Sequence, residues 1–179
     1  MPRRVAFLRA VNVGGHTIRM ADLRATFEAL GFEAVATFIA SGNVLFETAE
    51  RDDEKLERVI ERGLEAEFGY PIETFVRSID EIAAIAALDP FAGTGAGGDG
   101  WSTFVAFLER RPTDLAIGRL VDLATADDRF AVVGREAYWR RRGGIGTSRL
   151  SAGLLEKTLG LPATLRGMPT ITRLLARHG

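Results

Sequence analysis

"RVAFLRAV", residues 4–11, alternates its apolar side chains with the two-residue period of a partly buried strand. Its inner tetrapeptide, Val-Ala-Phe-Leu at 5–8, returns at 105–108. The elements downstream of each copy decide the fold. After the first comes "MADLRATFEAL" (20–30), where Leu23, Phe27 and Leu30 share one helical face and Gly31 supplies a stop. "EAVATFIASGNVLFET" (33–48) reads as a hairpin turned at Ser41-Gly42-Asn43. The charged run 51–69 is a helix with Leu56, Val59, Ile60, Leu64 and Phe68 inward, closed by Gly69. "IETFVRS" (72–78) is a further strand, and 79–88 a short helix. The order β-α-β-β-α-β is a compact supersecondary unit.

The same order recurs after the second Val-Ala-Phe-Leu. A strand at 102–109 and a helix at 113–124 precede strands at 129–134 and 136–142, a helix at 148–159 and a strand at 163–166, with a terminal helix from Pro169. A repeated order together with a repeated tetrapeptide predicts an internally duplicated α+β protein. Its expected parts are a first unit over 1–90, a flexible glycine-rich linker "FAGTGAGGDG" over 91–100, and a second unit with the terminal helix over 101–179.

Composition narrows the function classes. The 179 residues are 46% hydrophobic, enough for a real core, yet no run of about 18 apolar residues suggests a membrane span. The opening Met-Pro-Arg-Arg-Val leads straight into a strand pattern, unlike a signal peptide. The absence of cysteine excludes disulfides, thiolate nucleophiles and cysteine metal sites, and a cytoplasmic location is expected. Net charge is −1, but residues 1–90 sum to −6 and residues 91–179 to +5. Such asymmetry fits either a polyanion-binding half or two lobes that attract each other.

The two copies differ most just after their first strand. Between Val-Ala-Phe-Leu and the next Asp-Leu lie 13 residues in the first copy (9–21) and 5 in the second (109–113). Extra loop length between well-formed elements is where function tends to be mounted. In this topology the first two strands run parallel, so the loop and the hairpin turn emerge at one end of the sheet. That brings Asn12, Gly14, Gly15, His16 and Arg19 near Ser41, Gly42 and Asn43, with Arg9 at the strand end. Glycines admit close backbone approach, a helix start offers N–H groups, and Arg9, Arg19 and His16 add positive charge, a set suited to phosphate or carboxylate. The competing reading is structural: Gly42-Asn43 as a plain turn, Arg19 solvated, and Arg9, whose counterpart in the second copy is Glu109, in an Arg–Glu pair between the lobes.

Other motifs carry less. "GTGAGG" (93–98) matches the dinucleotide spacing but precedes a strand instead of following one, and there is no P-loop. "GGIGTSRL" (143–150) places Thr147 and Ser148 as N-caps and Arg149 in a first helical turn, a second anion site or an ordinary capped start. Tyr138, Arg140 and Arg142 alternate along one strand face, which reads as a solvated edge or an RNA contact. Glu54, Glu57, Glu61 and Glu65 read as a solvated helix face. Two histidines, His16 and His178, make neither a metal site nor a Ser-His-Asp triad, and no motif calls for a cofactor.

These residues resemble the bacterial domain-of-unknown-function family 1697. Leu8, Arg9, Val11, Asn12, Val13, Gly14, Gly15, Arg19 and Met20 match its opening pattern, and Ser41, Gly42, Asn43, Val44 and Phe46 its Ser-Gly-Asn turn. Ser148, Arg149, Leu150, Glu156, Lys157, Leu159, Gly160, Thr164 and Arg166 match its far end, whereas Gly167-Met168-Pro169-Thr170 replaces the usual Asn-Trp-Asn-Thr. The resemblance implies two tandem ferredoxin-like units and no particular activity. The expected function is binding of a small anionic ligand, a nucleotide or phosphorylated metabolite, with catalysis left open. If chemistry occurs, Arg9 and Arg19 would stabilise charge, and histidine is the residue type present that titrates near neutrality. The alternative is an RNA-binding or protein-interaction module. Against RNA stand an acidic first copy and a "GNVLFET" strand (42–48) without an aromatic pair.

Overall fold

The computed structural model describes residues 1–39, 42–144 and 150–179. Among them the chain forms two four-stranded antiparallel sheets and six α-helices, and it divides into compact units Met1–Ala83 (with Gly179) and Ala84–His178.

The first unit runs β1 (Arg3–Leu8), α1 (Met20–Ala29), β2 (Glu33–Thr37), β3 (Asn43–Glu47), α2 (Asp53–Phe68) and β4 (Thr74–Ser78), and α3 (Ile79–Ala87) crosses the division. Sheet order is β2-β3-β1-β4. Strand alternation puts Ala6, Leu8, Val44, Phe46 and Val76 on one face, where Leu23 and Phe27 of α1 and Leu56, Ile60 and Leu64 of α2 cover them. Asp52 caps α2 by accepting from the Lys55 N–H, and Gly69 closes it in the left-handed conformation.

The second unit repeats the order as β5 (Trp101–Leu108), α4 (Asp114–Val121), β6 (Asp128–Val133), β7 (Glu136–Arg142), α5 (Ala152–Leu159), β8 (Ala163–Gly167) and α6 (Met168–His178), with sheet order β6-β7-β5-β8. Trp139, Phe130, Leu108, Leu120, Leu155 and Leu159 lie in its core. Asp128 is buried beside them. Burial works against its charge, but hydrogen bonds from Arg141, Trp139 and Thr125 outweigh that and hold its carboxyl below the usual range.

Three expectations need correction. First, Thr113 and Ser151 are the caps of α4 and α5, so α5 starts after the Thr147-Ser148-Arg149 segment, which lies outside the described residues. Second, Tyr138, Arg140 and Arg142 are not on a solvated edge. β7 is internal to its sheet, Tyr138 is buried, and the Arg140 side chain is only 14% exposed. Arg140 instead holds the glycine-rich stretch expected to be flexible. Its guanidinium binds Asp89 and the Ala96 carbonyl, each at 3.0 Å, and lies 4.9 Å from the centre of the Phe91 ring.

Third, Glu57 and Glu61 do not face solvent as a pair. One turn apart on α2, they reach the outer edge of β4, where Glu57 accepts the Val76 N–H at 2.8 Å and Glu61 the Thr74 N–H at 2.9 Å. In the second unit Glu156 of α5 accepts the Ala163 N–H of β8 at 2.8 Å. The two units therefore share the way a helix carboxylate occupies an edge strand.

Candidate functional site

The long loop between β1 and α1, residues 9–19, stands on two apolar feet. Val11 and Ile18 are buried in the first core, and the Asn12 side-chain oxygen accepts the Ile18 N–H at 2.7 Å, tying the feet together. Residues 12–17 between them are exposed. The second unit needs only residues 109–113 for the same connection.

The arch is built from unusual backbone. Ala10 (φ 58°), Asn12 (60°), Gly14 (65°) and Gly15 (88°) all take left-handed values. Ile39, at the hairpin turn on the same end of the sheet, has φ 51°, a conformation that costs a β-branched residue free energy. Nothing lies within 4 Å of where a Cβ at Gly14 or Gly15 would sit, so these glycines are not packing positions. Among the described residues the N–H groups of Gly14, Gly15 and Thr17 make no hydrogen bond. His16 donates its N–H to the Val13 carbonyl at 3.4 Å, and its ring lies 4.2 Å from that of Tyr70, tilted by 30°.

Loop and turn do meet. Leu8 donates its N–H to the Gly42 carbonyl at 2.8 Å, and a Cβ on Gly42 would sit 3.1 Å from the Cβ atoms of both Leu8 and Val11. Ser41 lies outside the described residues. Asn43 is fully buried and donates its side-chain amide to the Phe38 carbonyl at 2.9 Å, so it closes the hairpin from inside. Arg9 binds Glu73 at 2.7 Å, an Arg–Glu pair within the first unit. Arg19 grips Asp22 with two hydrogen bonds of 2.8 and 3.1 Å, which, with the charge of Asp22, raise its pKa.

Sequence reasoning did not find Ala10, Ile39, Glu73 or Tyr70. The first two stand out by a positive φ, which residue type does not announce. Glu73 pairs with Arg9 across 64 residues of sequence. Tyr70 follows the Gly69 cap and carries a buried hydroxyl with no hydrogen-bond partner among the described residues.

Elsewhere, an open groove of about 550 Å³ in the second unit is lined by Trp101, Phe104, Gly167 and Pro169, with the Arg142 guanidinium 4.9 Å from the Trp101 ring centre. Among the described residues no group of three His, Cys, Asp or Glu side chains is placed to hold a metal ion, and no helix is long and apolar enough to cross a membrane.

Comparison with known proteins finds a family and a related solved structure. The family described as "Protein of unknown function (DUF1697)" matches residues 1–138. The solved structure of the conserved bacterial protein SP0830 from Streptococcus pneumoniae has 21% sequence identity and a TM-score of 0.75, over 99% of this chain and 98% of that one. At that identity it shows a shared fold. No curated protein matches.

Proposed function

Because the chain belongs to the DUF1697 family, described only as of unknown function, we propose its role from the loop cluster: it binds a small anionic ligand, a nucleotide or phosphorylated metabolite, over the arch 12–17. One observation carries this reading. Left-handed backbone at Ala10, Asn12, Gly14, Gly15 and Ile39 is concentrated at one end of one sheet, around the N–H groups of Gly14, Gly15 and Thr17, which make no hydrogen bond among the described residues. Strained backbone persists where the surrounding structure holds it, and clustered N–H groups in such turns form concavities for anions. The first contacts are then main-chain N–H groups of Gly14, Gly15 and Thr17, with His16 beside them. Arg9 and Arg19 join when the anion competes with Glu73 and Asp22 for them. Gly42 and Asn43 support the loop from beneath, and Ser41 adjoins them in sequence. Thr147, Ser148 and Arg149 remain a second candidate on sequence grounds alone.

We also infer that the two units are ferredoxin-like repeats from one duplication, 1–90 and 101–179 joined by 91–100, in a cytoplasmic protein. The shared order, Val-Ala-Phe-Leu at the same ladder positions beside β4 and β8, and the common carboxylate-to-edge contact support this.

Thermal melts with inorganic phosphate, nucleotides and sugar phosphates test the site. A ligand at about 100 times its Kd stabilises the folded state by about 2.7 kcal/mol. Gly15→Val forces a β-branched residue to φ 88° in open space, so the arch should rearrange and binding should be lost while the core still melts cooperatively. Arg19→Ala should weaken binding by about 1.5–3 kcal/mol, the scale of a charge-assisted hydrogen bond. A Gly15→Val protein that melts early but binds with unchanged affinity would overturn the assignment.

A further inference from the structure

The glycine-rich stretch 91–100 and Arg140 together enclose an open cavity of about 240 Å³, which lies within the second unit. Gly93, Gly95, Gly97, Asp89, Phe91 and Arg140 are among its lining. The N–H groups of the stretch alternate in use. Those of Ala92, Thr94 and Ala96 donate to the Asp89 carbonyl, the Phe91 carbonyl and the Thr94 hydroxyl at 3.3, 3.0 and 3.4 Å. Among the described residues those of Gly93, Gly95 and Gly97 donate to nothing, and all three glycines line the cavity. Successive free N–H groups in a turn make a cradle for an oxyanion.

The two charged side chains of the lining are each half engaged. Arg140 donates from Nε to the Thr103 hydroxyl at 2.9 Å and from Nη1 to the Ala96 carbonyl at 3.0 Å, and Nη1 meets Asp89 Oδ1 at 3.0 Å. The same Oδ1 accepts the Phe91 N–H at 2.9 Å. Among the described residues no hydrogen bond involves Arg140 Nη2 or Asp89 Oδ2. A guanidinium carries five N–H donors and a carboxylate two accepting oxygens, so a cation and an anion in contact each keep an unused atom at this cavity.

Charge and spacing choose the ligand. The charges of Arg140 and Asp89 cancel, so a plain anion would gain the guanidinium and the glycine N–H groups but face the Asp89 carboxylate. A ligand carrying both signs satisfies both residues. Nη2 and Oδ2 are each joined through one carbon to the atoms of the 3.0 Å contact, so the ligand's own charges must lie only a few bonds apart. We propose that this cavity binds a small α-amino acid, its carboxylate on Arg140 Nη2 and the glycine N–H groups and its ammonium on Asp89 Oδ2. The side chain must be small, because the volume falls below the about 300–1,000 Å³ of pockets for drug-sized ligands. The site belongs to the second unit and is independent of the arch 12–17.

Titration of the chain with glycine and with L-alanine, followed by amide NMR, should shift the Gly93, Gly95 and Gly97 resonances saturably. Acetate, methylamine and inorganic phosphate should each bind about tenfold or more weakly, because each satisfies one side of the charge pair at most. Asp89→Asn keeps an oxygen for the Phe91 N–H and loses the charge that holds the ammonium. It should weaken L-alanine by about tenfold or more and leave acetate no weaker. Gly97 is outside the left-handed region and has nothing within 4 Å of a new Cβ, so Gly97→Leu should obstruct the cavity without backbone strain and abolish binding. That variant decides the matter if Asp89→Asn loosens the turn. Gly15→Val, which alters the arch, should bind L-alanine as the native chain does. No saturable shift up to about 10 mM amino acid would overturn the proposal. So would acetate or phosphate binding as tightly as L-alanine, an affinity indifferent to Gly97→Leu, or loss of binding in Gly15→Val.

Discussion

At the scale of single residues, glycine serves two separate purposes at the loop cluster. Gly14 and Gly15 sit at positive φ in open space, so only the backbone conformation requires them. Gly42 has positive φ as well, but it also lies under Leu8 and Val11, where a Cβ would press both neighbours at 3.1 Å. Gly14→Ala should therefore cost about 1–2 kcal/mol, the penalty of left-handed backbone for an L-residue. Gly42→Ala should add overpacking of about 1–3 kcal/mol to that penalty. Urea midpoints compare the two, and equal losses would mean that the turn under Leu8 yields freely. The sequence made 41–43 a turn and brought it to the long loop, because both facts follow from strand order. It did not separate an Asn that faces a ligand from one buried against Phe38, since a Gly-Asn pair looks the same in either role. Asn43 is the latter kind. Arg9 and Arg19 were legible as charges, whereas their carboxylate partners were fixed by folding, Glu73 by the neighbouring strand and Asp22 by the first turn of α1.

At the scale of elements, the periodicities located every helix and strand among the described residues, because each is short and patterned, and several are bounded by Gly, Ser, Thr or Asp. Starts were harder. Thr147, Ser148 and Ser151 share the same cap chemistry, and the packing of Leu155 and Leu159 in the core accompanies the choice of Ser151. The glutamates of α2 were misread for a related reason: i, i+4 acidic spacing marks a face without saying what lies opposite. Opposite Glu57 lie the β4 edge and Arg77, whose guanidinium is fully buried 4.0 Å away. Glu57→Ala strips the Val76 N–H of its acceptor and takes a carboxylate from beside a buried cation, so it should cost about 1–3 kcal/mol, the penalty for a buried group left unsatisfied. Glu57→Gln keeps an acceptor oxygen and loses the charge, and should fall between that variant and the native protein. Glu156→Ala removes a half-buried contact to Ala163, and that hydrogen bond should contribute about 1 kcal/mol. Denaturant melts rank the three, and a Glu57→Ala protein as stable as Glu156→Ala would show that the edge is closed by something else.

At the scale of the whole molecule, the charge asymmetry raised a polyanion-binding half, and structure and charge together argue against nucleic acid. Non-specific affinity for a nucleic acid depends on cations free to neutralise phosphates. Of the three residues that would have formed a contact strip on β7, Tyr138 is buried, with burial first and Glu136 second pushing its hydroxyl up to about 12. Arg140 is committed to Asp89 and Ala96. That leaves Arg142, 60% exposed and already stacked on Trp101. A stacking platform also needs exposed aromatic faces, and Trp139 and Phe130 are inside the second core. The positive charge expected to form a strip on β7 is thus engaged within the fold at Arg140 and partly at Arg142, and the chain as a whole carries −1. Filter binding with single-stranded RNA should accordingly show no appreciable retention at physiological salt. A protein making 6–10 phosphate contacts would lose about 10³–10⁵ in affinity between 50 and 200 mM salt, a slope that single-site scatter does not imitate. Arg142→Ala should leave the weak low-salt signal nearly unchanged, because one contact contributes only about one unit to that slope. Tight binding with a steep salt dependence, flattened by replacing Arg140 and Arg142 together, would show that the Asp89 and Ala96 contacts open to release Arg140 to a phosphate. The anion specificity proposed for the first unit would then have to be tested again with RNA among the ligands.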